Sequence, residues 1–325
     1  MTKYASDQNR TSFQYESGTY AATSGTIQWL GLVQEHSLEP NMNVQPIRYQ
    51  GSTDRNVDDF VDGNQEWAGT ITYYPQDWKF LGFAIGSIHD LTGSHIFTEM
   101  NNNDHVMPPG ETSYPNALHT FTTVDTKNIG TAGSNFSRTT IGGMVDSYTL
   151  TAAQGEPVSV EVGYTAQDST LGSIAVSGLT PSTTKPYMFN EVKLYIPEAT
   201  AVSNVKELTF SVNNNLEPGM YLNGSRVLNE ILPMNRDYEV TATLDMDTSN
   251  AKTYYESYYT AGSEFNSAIK VWGKAGSVTI IMSGCKMTEM EVPSALEDIQ
   301  EQSITYVPQH VVATAMDTTS KYNPW

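Results

Sequence analysis

The sequence is short of the residues on which many functions depend. One cysteine, Cys285, stands among 325 residues, which excludes an intramolecular disulfide framework and a cysteine-rich zinc site. Lysine and arginine number 17 against 36 aspartates and glutamates, giving a formal net charge of −19. Gripping nucleic acid or an anionic membrane by charge needs clustered cations, so the chain is ill-suited to either. No apolar run approaches the ~20 residues of a membrane-spanning helix. The opening Met1-Thr2-Lys3-Tyr4-Ala5-Ser6-Asp7 lacks the apolar core of a cleaved secretion signal. The expectation is a soluble protein made in a cytoplasm, with no membrane partner.

Catalytic signatures are missing too. There is no Gly-x-Ser-x-Gly, no phosphate-binding loop and no His-Glu-x-x-His. His89, His95 and His105 share a stretch with Asp90 and Asp104, but spacings of six and ten match no ligand pattern. His36, His119 and His310 stand alone and read as surface or packed imidazoles, and Cys285 as a small buried residue. Acidic pairs (Asp58-Asp59, Asp245 with Asp247, Glu289 with Glu291, Glu297-Asp298) are expected to be solvated, although Asp245 and Asp247 at a strand end are compatible with Ca²⁺. No catalytic, cofactor-binding or metal-binding residue is predicted, and the chain reads as a non-enzyme.

What the sequence does have is β texture and enough apolar residues, 38%, to bury a core. Leu208, Phe210 and Val212 alternate with polar residues, as do Val240, Ala242 and Leu244, and Val158, Val160 and Val162. Period two places each set on one face of a half-buried antiparallel strand. Residues 75–85 and 249–259 each predict one short helix, stopped at Gly86 and Gly262. Tyr254, Tyr255, Tyr258 and Tyr259 stripe the second, as for a helix packed on the sheet or on a neighbouring subunit. Ser294-Ala295-Leu296-Glu297 has capping-box spacing and predicts a single turn.

Ordered matches suggest an internal repeat. Ile27–Leu32 and Leu38-Glu39-Pro40 match Val205–Phe210 and Leu216-Glu217-Pro218 at a common offset of 178. Gly51-Ser52 matches Gly224-Ser225, Trp67–Thr72 matches Tyr238–Thr243, and Gly86-Ser87 matches Gly262-Ser263. Gly142–Leu150 matches Ser283–Glu291, and strands ending in Tyr164 and Tyr306 follow. The expected organisation is a first domain over 1–170, a linker over 171–188 and a second domain over 189–325 with a C-terminal arm. An insertion at about 88–117, holding Asn101-Asn102-Asn103-Asp104 and Pro108-Pro109-Gly110, reads as an exposed loop. The segment Ala313–Trp325 is compatible with a free tail or an arm docked on a neighbour.

Several segments of the second half resemble the major tail tube proteins of long-tailed bacterial and archaeal viruses. They are Val192–Ile196 followed by Val205–Val212, the run Asn213-Asn214-Asn215-Leu216-Glu217-Pro218 leading to Leu222–Arg226, the strand Tyr238–Leu244 ending in Asp245-Met246-Asp247, and Gly284–Met287. The first half carries the same plan in diverged form, without the asparagine run. The resemblance implies a mainly β fold: two tandem tube-like β-sandwich or barrel domains, each with a short helix and an extended hairpin. It implies stacked trimeric, pseudo-hexameric rings in a virion tail, assembled in the host cytoplasm, whose channel delivers double-stranded DNA without specific binding. Partners would be further copies of the chain and tail terminator, baseplate and tape-measure proteins. Glu161, Glu239, Thr241 and Thr243 are candidates for the channel lining or equally for the outer wall. Another tube-fold ring component (baseplate, tail completion or injection-system tube) fits the same residues. A carbohydrate-binding β-sandwich or glycosidase is the alternative of a different class, and the missing secretion signal counts against it.

Overall fold

The computed structural model describes residues 9–16, 27–49, 56–91, 93–99, 118–127, 136–172, 184–246, 252–273, 276–291 and 300–317. In chain order come β1 (Asn9–Tyr15), β2 (Gln28–Trp29), β3 (Leu32–Asn41), β4 (Gln45–Ile47), β5 (Asp59–Val61) and β6 (Glu66–Tyr74), then helix α1 (Lys79–Ile85). They are followed by β7 (Gly86–Leu91), β8 (Ser94–Glu99), β9 (Thr120–Lys127), β10 (Phe136–Ala153), β11 (Ser159–Ala166) and β12 (Asp168–Gly172). Then come β13 (Val192–Tyr195), β14 (Val205–Asn213), β15 (Leu216–Gly219), β16 (Glu230–Pro233) and β17 (Asp237–Asp245). Helix α2 (Tyr254–Thr260), wound as a π-helix, precedes β18 (Phe265–Gly273), β19 (Gly276–Glu291), β20 (Glu301–Val307) and β21 (His310–Asp317). The protein is mainly β, and every named strand pairing is antiparallel.

A central sheet runs β3-β6-β11-β10-β14-β17-β20-β19. The long strands β10 and β19 leave it at their N-terminal ends to enter further sheets, β1-β9-β10-β12 and β13-β18-β19-β21-β8-β7. Each long strand turns at a glycine with positive φ, Gly142 at 66° and Gly284 at 62°, a backbone that side chains with a Cβ resist. Ladder irregularities follow in each, between Val145 and Ser147 in β10 and between Met287 and Glu289 in β19. Such bulges bend a strand and raise its twist.

The pairings β3-β6-β11-β10 recur in the order β14-β17-β20-β19, with bulges at Val33/Glu35 and Val205/Glu207. Tyr164 lies opposite Gly69 and Tyr306 opposite Val240, which are matched positions in the sequence repeat. Their rings meet Phe121 and Phe265 edge-on, at 5.5 Å and 62° and at 5.3 Å and 63°.

Period two works as expected in the core. Val160, Val162, Leu208, Phe210, Val212, Val240, Ala242 and Leu244 are all buried in one continuous apolar cluster. A polar side chain, Asn214, crosses it. The buried Asn214 donates through Nδ2 to the carbonyls of Ala84 (3.1 Å) and Val145 (2.9 Å), and its Oδ1 accepts from Arg236 Nε (2.8 Å).

Some sequence expectations need correction. At offset 178, Leu38-Glu39-Pro40 falls inside β3 and Leu216-Glu217-Pro218 inside β15, so the similar words occupy different elements. The bulges align β3 with β14 at an offset of 172 instead, and the turning glycines shift the Gly142 match by one residue, onto Gly284. At offset 172 the first half does not lack the asparagine turn: Asn41-Met42-Asn43 stands where Asn213-Asn214-Asn215 stands in the second. The start of the supposed loop insertion is a hairpin, β7–β8, and β8 pairs with β21. Its Ile88 and Phe97 pack onto α1 so closely that a Cβ on Gly82 would lie 2.8 Å from Ile88. Residues 100–117, with Asn101–Asp104, His105 and Pro108–Gly110, lie outside the described residues. So do the Ser294–Glu297 turn, Asp247, Glu297 and Asp298.

Within the expected linker, Gly172 still belongs to β12, and Tyr187 is buried with its ring 5.1 Å from that of Trp78. Ala313–Asp317 is neither a free tail nor a docked arm, since it belongs to β21 and pairs with β19 and β8. Residues 318–325 lie outside the described ones.

Candidate functional site: the open face of the central sheet

Because side chains alternate along a strand, the polar partners of the buried set share the opposite face. On β11 these are Ser159, Glu161, Gly163 and Thr165, and on β10 Ser147, Thr149 and Thr151. On β17 they are Asp237, Glu239, Thr241, Thr243 and Asp245. The cross-strand register carries the face across the sheet. Glu35, Ser37, Glu39 and Asn41 sit opposite Thr72, Thr70, Ala68 and Glu66, while Glu289 and Glu291 sit opposite Thr305 and Ser303. All four sequence candidates, Glu161, Glu239, Thr241 and Thr243, fall on this face.

The result is a broad surface of hydroxyls and carboxylates. Among the described residues two lysines reach it. Lys206, at the β14 bulge, is held by Asp245 (2.7 Å) and Glu301 (2.6 Å). Hydrogen bonds to Asp245 and Glu301 raise its pKa above the usual ammonium value, so it stays charged and neutralises part of that corner. Lys286 lies at the margin, opposite Val307 and just before the β19 bulge. Most of the rest of the face is hydroxyl or acidic, with cross-strand pairs such as Ser37 with Thr70 (2.6 Å) and Thr241 with Thr305 (3.4 Å).

The sheet also ends in open edges. Among the described residues β3 pairs only with β6, and the Lys286–Glu291 part of β19 only with β20. Two small hairpins project beside the sheet, β4–β5 and β15–β16. The second packs Leu228 and Ile231 against Leu118 and Met144. Its Arg226 reaches the base of the first, donating to the Gly63 carbonyl (2.8 Å) and pairing with Asp62 (3.0 Å).

Several other residues singled out in the sequence are packed in the interior. His95 is buried between Asp90 (2.6 Å) and Asp317 (3.4 Å), joining β7, β8 and β21. His36 meets the Tyr164 hydroxyl at 2.8 Å, and burial lowers its pKa. Burial lowers His119 to about 4 and pushes the Cys285 thiol up to about 12. Among the described residues no three or more His, Cys, Asp or Glu side chains gather as a metal site. The tyrosine stripe divides: Tyr254 and Tyr258 face the core and Phe265, whereas Tyr255 and Tyr259 stay exposed.

The arrangement is that of a mainly β protein with an antiparallel sheet, one face packed and the other broad, acidic and hydroxylic, whose edges are open among the described residues. A family model described as phage tail tube protein matches residues 16–311. The chain belongs to that family and is a structural component of the virion tail. A comparison with curated proteins found no match.

Proposed function

We propose that the chain is two tandem tube units fused into one subunit, that three chains close a pseudo-sixfold ring, and that rings stack into the tube. The open face of the central sheet lines the bore, through which double-stranded DNA passes into the host. The observation that carries this reading is the combination of that acidic, hydroxylic face with, among the described residues, an open strand edge at each end of the same sheet. Exposed edges are an aggregation hazard unless paired, and closing a barrel removes them. Three eight-stranded sheets make a 24-stranded barrel. At ~4.8 Å between strands and a tilt of ~40°, its backbone diameter is roughly 45–50 Å, enough for a DNA duplex with clearance.

The chemistry suits passage rather than binding. A cation repeated in every ring would add phosphate contacts that accumulate along the tube. Carboxylates repel at distances near the Debye length of ~8 Å, and hydroxyls offer only neutral contacts. The role is structural and non-enzymatic. Partners are further copies of the chain and the tail terminator, baseplate and tape-measure proteins, with assembly in the host cytoplasm. Negative-stain electron microscopy with mass measurement tests the reading. Stacked rings of three chains with six-lobed outlines are expected. Single rings that never stack would instead favour a completion or baseplate ring, and a permanent monomer would refute both.

A further inference from the structure

The contact between the two halves of the chain is a template for the contact between chains. Within the chain, β10 pairs with β14, Ser147 opposite Asn213 and Thr149 opposite Ser211. Beside this seam β15–β16 covers Leu118 and Met144 with Leu216, Leu228 and Ile231. The recurring pairings place β19 where β10 stands and β3 where β14 stands, and both carry an open edge. They place β4–β5 where β15–β16 stands, with Phe60 at the position of Ile231 and Val44 at that of Leu216. Ile231 is 3% exposed, while Phe60 is 64% and Val44 47% exposed. The first hairpin therefore shows the apolar residues that the second one buries.

The surface that would receive it is altered in a compensating way. Lys286 stands at the position of Met144, and counting back three residues from the matched Phe121 and Phe265 sets Gly262 against Leu118. A larger donor, Phe for Ile, meets a smaller acceptor, Gly for Leu. Phe60 is flanked by Asp58 and Asp59, Asp62 being paired with Arg226 of its own chain, and the acceptor offers the ammonium of Lys286 with its aliphatic stem. Size and charge differ on both sides in the sense that fits them to each other.

We propose that β4–β5 of one copy docks on the Gly262/Lys286 margin of a second copy, while β3 of the first pairs antiparallel with β19 of the second, Asn41 opposite Glu289, Pro40 opposite Met290 and Glu39 opposite Glu291. This rests on the tube reading and specifies its subunit interface. The strand seam alone is weak, because Pro40 has no N–H and Glu39 faces Glu291, so the docked hairpin supplies much of the attraction.

The test uses the full chain carrying Glu39→Cys with Glu291→Cys, treated after assembly with a short bifunctional thiol reagent. The native Cys285 is fully buried and stays out of the reaction. Inter-chain dimers and trimers on denaturing gels are expected from this pair, and not from either single variant or from Ser37→Cys with Glu289→Cys, which lie four residues out of register. Phe60→Ser, at an exposed site, should leave the monomer folded by circular dichroism and raise the concentration needed for ring formation on the order of tenfold or more. Rings that form without the Glu39–Glu291 cross-link, or with the out-of-register pair linking equally, overturn the interface and leave the tube reading standing. Unaltered assembly of Phe60→Ser overturns the hairpin contact. A wild-type chain that stays monomeric overturns both the interface and the tube reading.

Discussion

Asn43 and Asn215, 172 residues apart, adopt the same left-handed backbone and make the same local hydrogen bonds. Their φ values are 45° and 47°. Each backbone N–H donates to the side-chain oxygen of the asparagine two residues earlier, Asn41 at 3.1 Å and Asn213 at 3.0 Å. Each side-chain amide donates to the carbonyl of a further asparagine, Asn64 at 2.9 Å and Asn235 at 2.8 Å. These turns aim β4 and β15 away from the sheet, and so set where the two hairpins project.

Replacing Asn215 by alanine keeps the strained backbone and loses the amide. A loss of about 1–2 kcal/mol is expected from the left-handed conformation alone. Asn215→Gly should cost less, because glycine tolerates positive φ. Urea denaturation of both variants, and of the same changes at Asn43, checks the order. Equal losses for alanine and glycine would mean that the hydrogen bonds, not the backbone, dominate.

Asn214 has no such equivalent, since Met42 stands at its place in the first half. Asn214→Leu strands the carbonyls of Ala84 and Val145 and frees Arg236. Buried groups left without partners cost about 1–3 kcal/mol each, so a total loss of about 2–4 kcal/mol is expected in chemical denaturation. A near-neutral result would show that water takes over these bonds.

Acid should weaken the fold through His119, whose ring lies against Phe83 at 5.8 Å. Burial holds its pKa at about 4 in the folded chain, against about 6.5 when unfolded. Between these values only the unfolded state takes up the proton, so stability is lost as pH falls from 6.5 towards 4 and changes little further below. The full effect is roughly 3 kcal/mol. His36, lowered in the same direction, adds to it. In His119→Phe the loss between pH 7 and pH 4.5, read from denaturation midpoints, should shrink. An unchanged slope would assign the acid sensitivity to other groups.

If the open face lines a bore as proposed, cations placed on it should make that bore hold DNA. Tubes carrying Glu161→Lys with Glu239→Lys should retain double-stranded DNA in a nuclease-resistant form at low salt and release it as salt rises, by about 0.9 log unit of affinity per log unit of salt for each phosphate neutralised. Wild-type tubes should retain none. DNA that binds the variant but stays open to nuclease would place this face on the outer wall.

The buried faces were legible in the sequence because a one-sided sheet writes its period directly into residues such as Val158–Val162 and Leu208–Val212. The open face was half legible. Glu161 and Glu239 could be assigned opposite their buried neighbours, but only the register shows that they share one surface across strands distant in sequence. The repeat was visible as words and misplaced as geometry. Leu-Glu-Pro occurs twice in different elements, whereas the recurring strand pairings line up at bulges and at left-handed residues at Asn43, Asn215, Gly142 and Gly284, which mark bends rather than composition. The sheet built on the β7–β8 hairpin is not legible locally, because its partner strand, β21, lies some 200 residues downstream.

The β10–β14 ladder has a kinetic consequence. Its two strands belong to one polypeptide, so it closes as a unimolecular event at the effective concentration set by the intervening segment, which for short flexible tethers is on the order of millimolar. Dilution of the protein in the cell leaves that closure untouched. In the proposed ring of three such chains, every second joint is then ready before any two molecules meet, and the encounter rate governs only the remaining half.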